Sequence, residues 1–248
     1  MEKKFKLVIE YDGTAYHGWQ RQKSDRSIQA EIEKALTVMT RQAITLSASG
    51  RTDAGVHALG QVAHFACETA IEPADFRRGL NSLLPDDIVI KTCKSVPDAF
   101  HARYDAKRKT YRYRILNRAV PTAVDRRYVW HLRKELQIEA MRAVVRHLVG
   151  RHDFKAFEGT GSPRTSTVRT ILRADLKKET DGYLIFEIEG DGFLRYMVRN
   201  IVGTLVEVGR GKITPEGFRA ILESKDREQA GATAPPQGLF LVAVDYKD

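Results

Sequence analysis

Phe5, Leu7, Ile9 and Tyr11 alternate with Lys6, Val8 and Glu10, a period of two that predicts a strand with one buried face. Asp12-Gly13-Thr14 ends it as a turn. Ile28, Ile32, Ala35, Leu36 and Met39 then recur at helical spacing, with Ser27 placed to cap. The run 61–65 reads as a strand, centred on Val62–Phe65. Pro73 opens a short helix carrying Phe76, Leu80 and Leu83, which Pro85-Asp86-Asp87 stops. Ile88-Val89-Ile90 begins another strand. Further on, 110–116 alternates as a strand, and Ile138, Met141, Val145 and Leu148 mark a helix. The stretches 168–176 and 183–188 read as paired strands around a turn at Asp181-Gly182. Leu194, Met197, Val198, Ile201, Leu205 and Val208 mark a helix over 193–208 that Gly209 ends. Thr214-Pro215 starts one more, and 239–244 is a last strand. Residues 159–166 have loop composition and no period: a surface loop, either a plain connector or a segment that touches a partner.

Strands and helices mix throughout, with hairpin-like neighbours rather than strict βαβ alternation. This predicts an α+β fold, a largely antiparallel sheet with helices packed on one side. At 248 residues the chain is long enough for one large domain or two of modest size. Its 42% hydrophobic and 29% charged residues are those of an ordinary globular protein. Lys6 and Glu10 break the first apolar run, which argues against a signal peptide, and no stretch approaches the roughly 20 apolar residues of a membrane span. Cys67 and Cys93 are too few for a disulfide framework and lack zinc-site spacing, so a reducing cytoplasm is the simplest compartment. The formal net charge of +9 favours a polyanionic partner.

The distinctive chemistry lies in 47–58, where Gly50 and Gly55 frame a polar loop holding Arg51 and Asp53. An adjacent guanidinium favours a charged carboxylate, and a fixed aspartate there is a candidate nucleophile, base or ion-pair partner. The glycines have the spacing of a phosphate-binding loop, but Val56-His57 follow where lysine and Ser/Thr are required. None of the seven histidines forms a metal-ligand pair at helical spacing; His57 and His64 lie near the loop, with packing or turn duty as the plain reading. A basic run extends from His101 through Arg103, Lys107, Arg108, Lys109, Arg112 and Arg114 to Arg118. As a strand it sets Tyr111 and Tyr113 on one face and Arg112 and Arg114 on the other, an arrangement suited to unstacked bases and phosphates or simply to an amphipathic edge strand. Arg195 and Arg199, four apart on a mostly apolar helix, need acidic partners if buried. Asp53 is one candidate partner for Arg199; another acid, or exposure at the helix margin, are the others.

Taken together these segments resemble the TruA family of tRNA pseudouridine synthases nearly end to end. The resemblance is carried by Tyr11-Asp12-Gly13-Thr14 with Gly18-Trp19-Gln20, by 48–58, by Phe100-His101-Ala102-Arg103 and Lys109-Thr110-Tyr111-Arg112-Tyr113, by Phe193-Leu194 with 197–203, and by 234–239. It implies an isomerase that converts uridine to pseudouridine at positions 38, 39 and 40 of the tRNA anticodon stem-loop. It carries over Asp53 as nucleophile, Tyr111 as the residue stacking on the target base, and Arg199 as ion-pair partner of Asp53. Arg51 would support the loop chemistry, and Arg103, Lys107, Lys109 and Arg112 are candidates to hold the tRNA backbone. It further implies two related α+β halves, 1–105 and 106–248, with a basic cleft between them, a homodimer, and no cofactor or metal, since substrate and product are isomers. Attack at C1′, attack at C6 and a glycal route all remain open, and Tyr111 is also a candidate base at C5. Two other classes compete with this reading: a non-catalytic RNA-binding or chaperone protein, and an aspartate-dependent nucleoside hydrolase. The hydrolase is disfavoured because the loop supplies a single carboxylate.

Overall fold

The computed structural model describes residues 2–22, 25–159, 161 and 165–246. Residues 160 and 162–164, half of the 159–166 loop, lie outside them. In chain order the strands are β1 (Glu2–Tyr11), β2 (Ser47–Ala48), β3 (His57–Glu68), β4 (Ile88–Val96), β5 (Arg108–Asn117), β6 (Trp130–Leu132), β7 (Gly150–Asp153), β8 (Val168–Lys178), β9 (Tyr183–Gly190) and β10 (Leu239–Asp245). The α-helices are α1 (Ile28–Thr40), α2 (Pro73–Leu83), α3 (Ile138–Val145), α4 (Met197–Gly209) and α5 (Pro215–Ser224). The chain divides into two compact units, Met1–Lys107 with Phe240–Asp248, and Arg108–Leu239.

In the first unit β1 pairs antiparallel with both β4 and β3, β2 adds antiparallel to β3, and β10 lies parallel along the start of β3. The period of two in β1 is expressed as expected: Phe5, Leu7, Ile9 and Tyr11 are buried while their neighbours are partly open. Helix α2 covers that buried face. Phe76 from α2 meets Phe5 at 4.8 Å and Phe65 at 5.3 Å between ring centroids. Such a triad combines large apolar burial with favourable ring geometry. Strand β3 is much longer than the run 62–65 predicts. Nearly every residue from His57 to Phe65 is buried, so the strand has no solvent face to impose alternation. Helix α1 follows its predicted stripe, with Ile28, Ile32 and Leu36 fully buried. Ser27 occupies the N-cap position but makes no side-chain cap bond. Buried Glu33 ties α1 to the segment that enters β2 instead, accepting from Leu46 N at 2.9 Å and, within the helix, from Gln29 Nε2 at 2.9 Å.

In the second unit β5, β9, β8 and β7 run antiparallel in that order, and β6 adds parallel to β5. The helix predicted over 193–208 begins at Met197, because Tyr196 takes a left-handed conformation, φ 60°, and serves as its N-cap. All of α4 except Arg199 and Glu207 is buried, which marks it as the central helix of this unit. Gly203 and Thr204 meet the segment 231–234 at backbone distance: a Cβ on Gly203 would lie 1.7 Å from the Ala232 oxygen. Only glycine permits that approach. Gly231 N donates to Thr204 Oγ1 at 2.9 Å, and Ala234 N to Arg199 O at 3.1 Å. Asn200, fully buried, donates to Phe157 O at 2.8 Å and accepts from Thr233 Oγ1 at 2.7 Å. The start of α4 is thus bolted to two separate segments.

Candidate active site

The polar loop between β2 and β3 is held from three sides within the first unit. At its start, Ser49 N donates to Val62 O at 2.8 Å and Ser49 Oγ to Gln61 Oε1 at 2.7 Å, while Gln61 Nε2 donates to Gly50 O at 2.9 Å. At its centre, Tyr11 OH and Thr52 Oγ1 are 2.7 Å apart in a buried pair. Burial pushes the Tyr11 phenol up to about 12, so it stays a neutral O–H at physiological pH. Trp19 N donates to Thr52 O at 3.1 Å, and Gly55 N to Tyr16 O at 3.2 Å. Gly18 makes this possible: its φ is 91°, and a Cβ there would lie 2.6 Å from the Thr52 oxygen. At the loop's end, His57 is buried, stacks on Phe240 at 4.7 Å, and has Nδ1 at 3.1 Å from Gly13 N and 3.0 Å from Asp12 Oδ1.

These bonds leave Arg51 exposed and Asp53 half-buried on either side of the buried Thr52. The aspartate therefore sits on a fixed backbone with a path to solvent, the arrangement that a preorganised reactive carboxylate needs. The glycine-rich opening of the chain, 13–19, acts as the splint of this loop. Spacing along the sequence gives no sign of that; the Gly18 contact does.

Further along, His64 on β3 is buried and anchors the loop after β4. Its Nδ1 accepts from Ala102 N at 3.1 Å. Desolvation, assisted by His101 and Lys4, lowers its pKa to about 4, so the ring is neutral and able to accept. Arg103 and Lys107 are exposed.

In the second unit, Tyr111 lies on β5, only 9% exposed, with its ring edge-on to Phe193 at 5.0 Å. Lys109 is half-buried on the same strand. Arg112 engages its cross-strand neighbour Glu187 through Nε at 2.9 Å and Nη2 at 2.7 Å, so its charge is already met by a carboxylate. Arg199, in the first turn of α4, is half-buried. Its Nε donates to Ala234 O at 2.8 Å and its guanidinium lies 5.0 Å from the Tyr196 ring. The carbonyl fixes one edge of the fork. Asn200, Gly203 and Ala234 position Arg199 through packing and backbone bonds, a role that no residue-type pattern in the sequence reveals. Among the described residues no group of three or more His, Cys, Asp or Glu is placed to hold a metal ion.

The sequence profile described as tRNA pseudouridine synthase matches residues 7–105 and 144–247. The chain belongs to this family. Tyr16, Gly18, Asp53, His64, Arg199 and Ala234 all fall inside the matched segments, whereas Lys107, Lys109, Tyr111 and Arg112 fall between them. A tRNA pseudouridine synthase A of Thermoanaerobacter sp. (strain X514) is 50% identical over 240 residues, 97% of this chain and 98% of that protein. One from Acetivibrio thermocellus is 49% identical over 241 residues, again 97% and 98%. Another, from Geotalea uraniireducens, is 46% identical over 244 residues, 98% of this chain and all of that protein. The tRNA pseudouridine synthase resemblance therefore extends across the whole chain and includes both the Asp53 loop and the start of α4.

Proposed function

We propose that this chain converts uridine to pseudouridine in tRNA, with Asp53 as its nucleophile and positions 38, 39 and 40 of the anticodon stem-loop as its targets. Family membership across the whole chain carries the reaction class; the splinted backbone under Asp53 supports the residue. The reaction breaks the C1′–N1 bond, turns the uracil, and forms C1′–C5. N1 gains a proton and C5 loses one, so atoms balance with no electron carrier or group donor. A target base within a stem must first leave its stack, at a cost of a few kcal/mol.

In this reading Arg199 is the ion-pair partner that keeps Asp53 anionic, and Arg51 supports the loop. A guanidinium already oriented by Ala234 O can offer its remaining donors in a fixed direction. Tyr111 stacks on the target uracil, its ring held by Phe193. Arg103, Lys107, Lys109 and Arg112 contribute to holding the tRNA backbone, with Arg112 the least available because of Glu187. The working form is a homodimer in the cytoplasm; no helix among the described residues is long and apolar enough to cross a membrane.

The test is release of tritium to water from tRNA transcribed with [5-³H]uridine, since the C5 hydrogen must leave. Wild-type protein should release it without additive, and Asp53→Asn should not. Tight tRNA binding by wild type with no release would move the chain to the RNA-binding class and leave Asp53 a turn residue.

A further inference from the structure

Tyr104 is 74% exposed, the one aromatic among the large apolar side chains left open on the described surface. An open tyrosine on a loose loop would mean little. This one is fixed. His101 N donates to Asp105 Oδ2 at 2.8 Å, and Asp105 N returns to His101 O at 3.1 Å. His101 Nδ1 accepts from Arg103 N at 3.1 Å and from Tyr104 N at 3.3 Å. Tyr246 OH donates to Ala102 O at 2.7 Å.

The rings continue this order outward. Buried His64 meets His101 at 4.8 Å between centroids, and His101 meets Tyr104 at 4.2 Å with only 31° between planes. A ladder of three rings thus runs from β3 to solvent, and its last rung is uncovered. A cation lies beside it: the Arg103 guanidinium is 5.7 Å from the Tyr104 ring, and Arg103 and Lys107, the latter three residues beyond Tyr104 in the chain, are exposed.

We propose that Tyr104, with Arg103 beside it, is a nucleotide-stacking platform that holds an unpaired base of the RNA substrate other than the target uracil. The inference rests on the tRNA reading above. An aromatic face with an adjacent guanidinium offers a base its stack and the neighbouring phosphate its counter-charge. A loop already ordered loses little further freedom on binding. The Arg103 guanidinium beside the ring, with exposed Lys107 nearby in sequence, favours a polyanion over a protein surface as occupant.

The experiment compares Tyr104→Ala, Tyr104→Phe and Tyr104→Trp with wild type, measuring tRNA Kd by filter binding, KM and kcat for pseudouridine formation, and sedimentation mass. Tyr104→Ala should raise Kd and KM roughly 5- to 100-fold with kcat and melting temperature nearly unchanged. Tyr104→Phe should match wild type, and the indole emission added by Tyr104→Trp should be quenched by tRNA. Equal Kd and KM in Tyr104→Ala would overturn the platform, as would a change of sedimentation mass, which would give the ring to a protein contact. A wild type that binds tRNA but forms no pseudouridine would instead defeat the functional reading, while the Kd comparison still decides on Tyr104.

Discussion

Asp53 gains its meaning from its neighbours. Thr52 is held through its side chain by Tyr11 and through its carbonyl by Trp19, so the carboxylate projects from a backbone that cannot drift. Asp53→Asn keeps size and shape. It should lower kcat roughly 10³-fold or more, with tRNA Kd within about 3-fold; calorimetry should find the fold intact, because a half-buried loop side chain contributes little to stability. His64 makes a separate prediction. Its pKa falls from 6.5 to about 4 on folding, so between those values the unfolded chain binds a proton that the folded chain refuses. The His64 contribution to stability should drop as pH falls through that window, by on the order of 2 kcal/mol after discount for solvent screening, and should change no further below about pH 4. Denaturant titrations of wild type and His64→Gln would check this, the variant losing that part of the slope. At this scale the sequence marked the loop around Asp53, because Gly50-Arg-Thr-Asp-Ala-Gly55 is an uninterrupted motif. His57 and His64 do the packing and turn duty that the plain reading gave them, but their partners were not legible, since a histidine that accepts a backbone N–H leaves no spacing signature.

Long elements with a clear period were readable, and the very short strands were not. Strand β1 and helix α1 appear where their periods place them. Strand β3 is read as a strand only over 61–65, because it is buried on both sides from His57 to Phe65 and shows no alternation that would mark its full length. Strands β2, β6 and β7 span two to four residues, too few to show any period. Helix α4 begins four residues later than its stripe suggests, because the left-handed Tyr196 breaks the helix while the apolar residues continue. Its most consequential contact is also invisible in the pattern: Gly203 lets the 231–234 segment lie against the helix. Gly203→Ala should destabilise the second unit by about 3 kcal/mol or more, lowering the urea midpoint at constant m-value. If the strap merely shifts away, the loss should appear in kcat as well, since Ala234 O orients Arg199. A stable and fully active Gly203→Ala would show that the strap does not position Arg199.

For the molecule as a whole, the charge of +9 predicts tRNA binding that weakens steeply with salt, as counterions leave the RNA backbone. Much of the basic run is not available for this, because Arg112 and Arg114 are paired with Glu187 and Asp125. Exposed Arg103 and Lys107 are the better candidates. Changing both to alanine should reduce the slope of log K against log salt by about 1.5 to 2; an unchanged slope would remove them from the RNA interface. The sequence alone could not separate paired from open arginines, because the pairing depends on which strand lies alongside β5.

Asp53 on its splinted loop is proposed to carry the isomerisation of uridine in tRNA. Unmodified tRNA bearing uridine at positions 38–40 should be incubated with wild type and with Asp53→Asn, and pseudouridine mapped by primer extension through carbodiimide adducts. Stops at those positions from wild type alone are the expected result. Equal stops from both proteins would take the chemistry away from Asp53, and stops at other positions would contradict the anticodon-arm assignment.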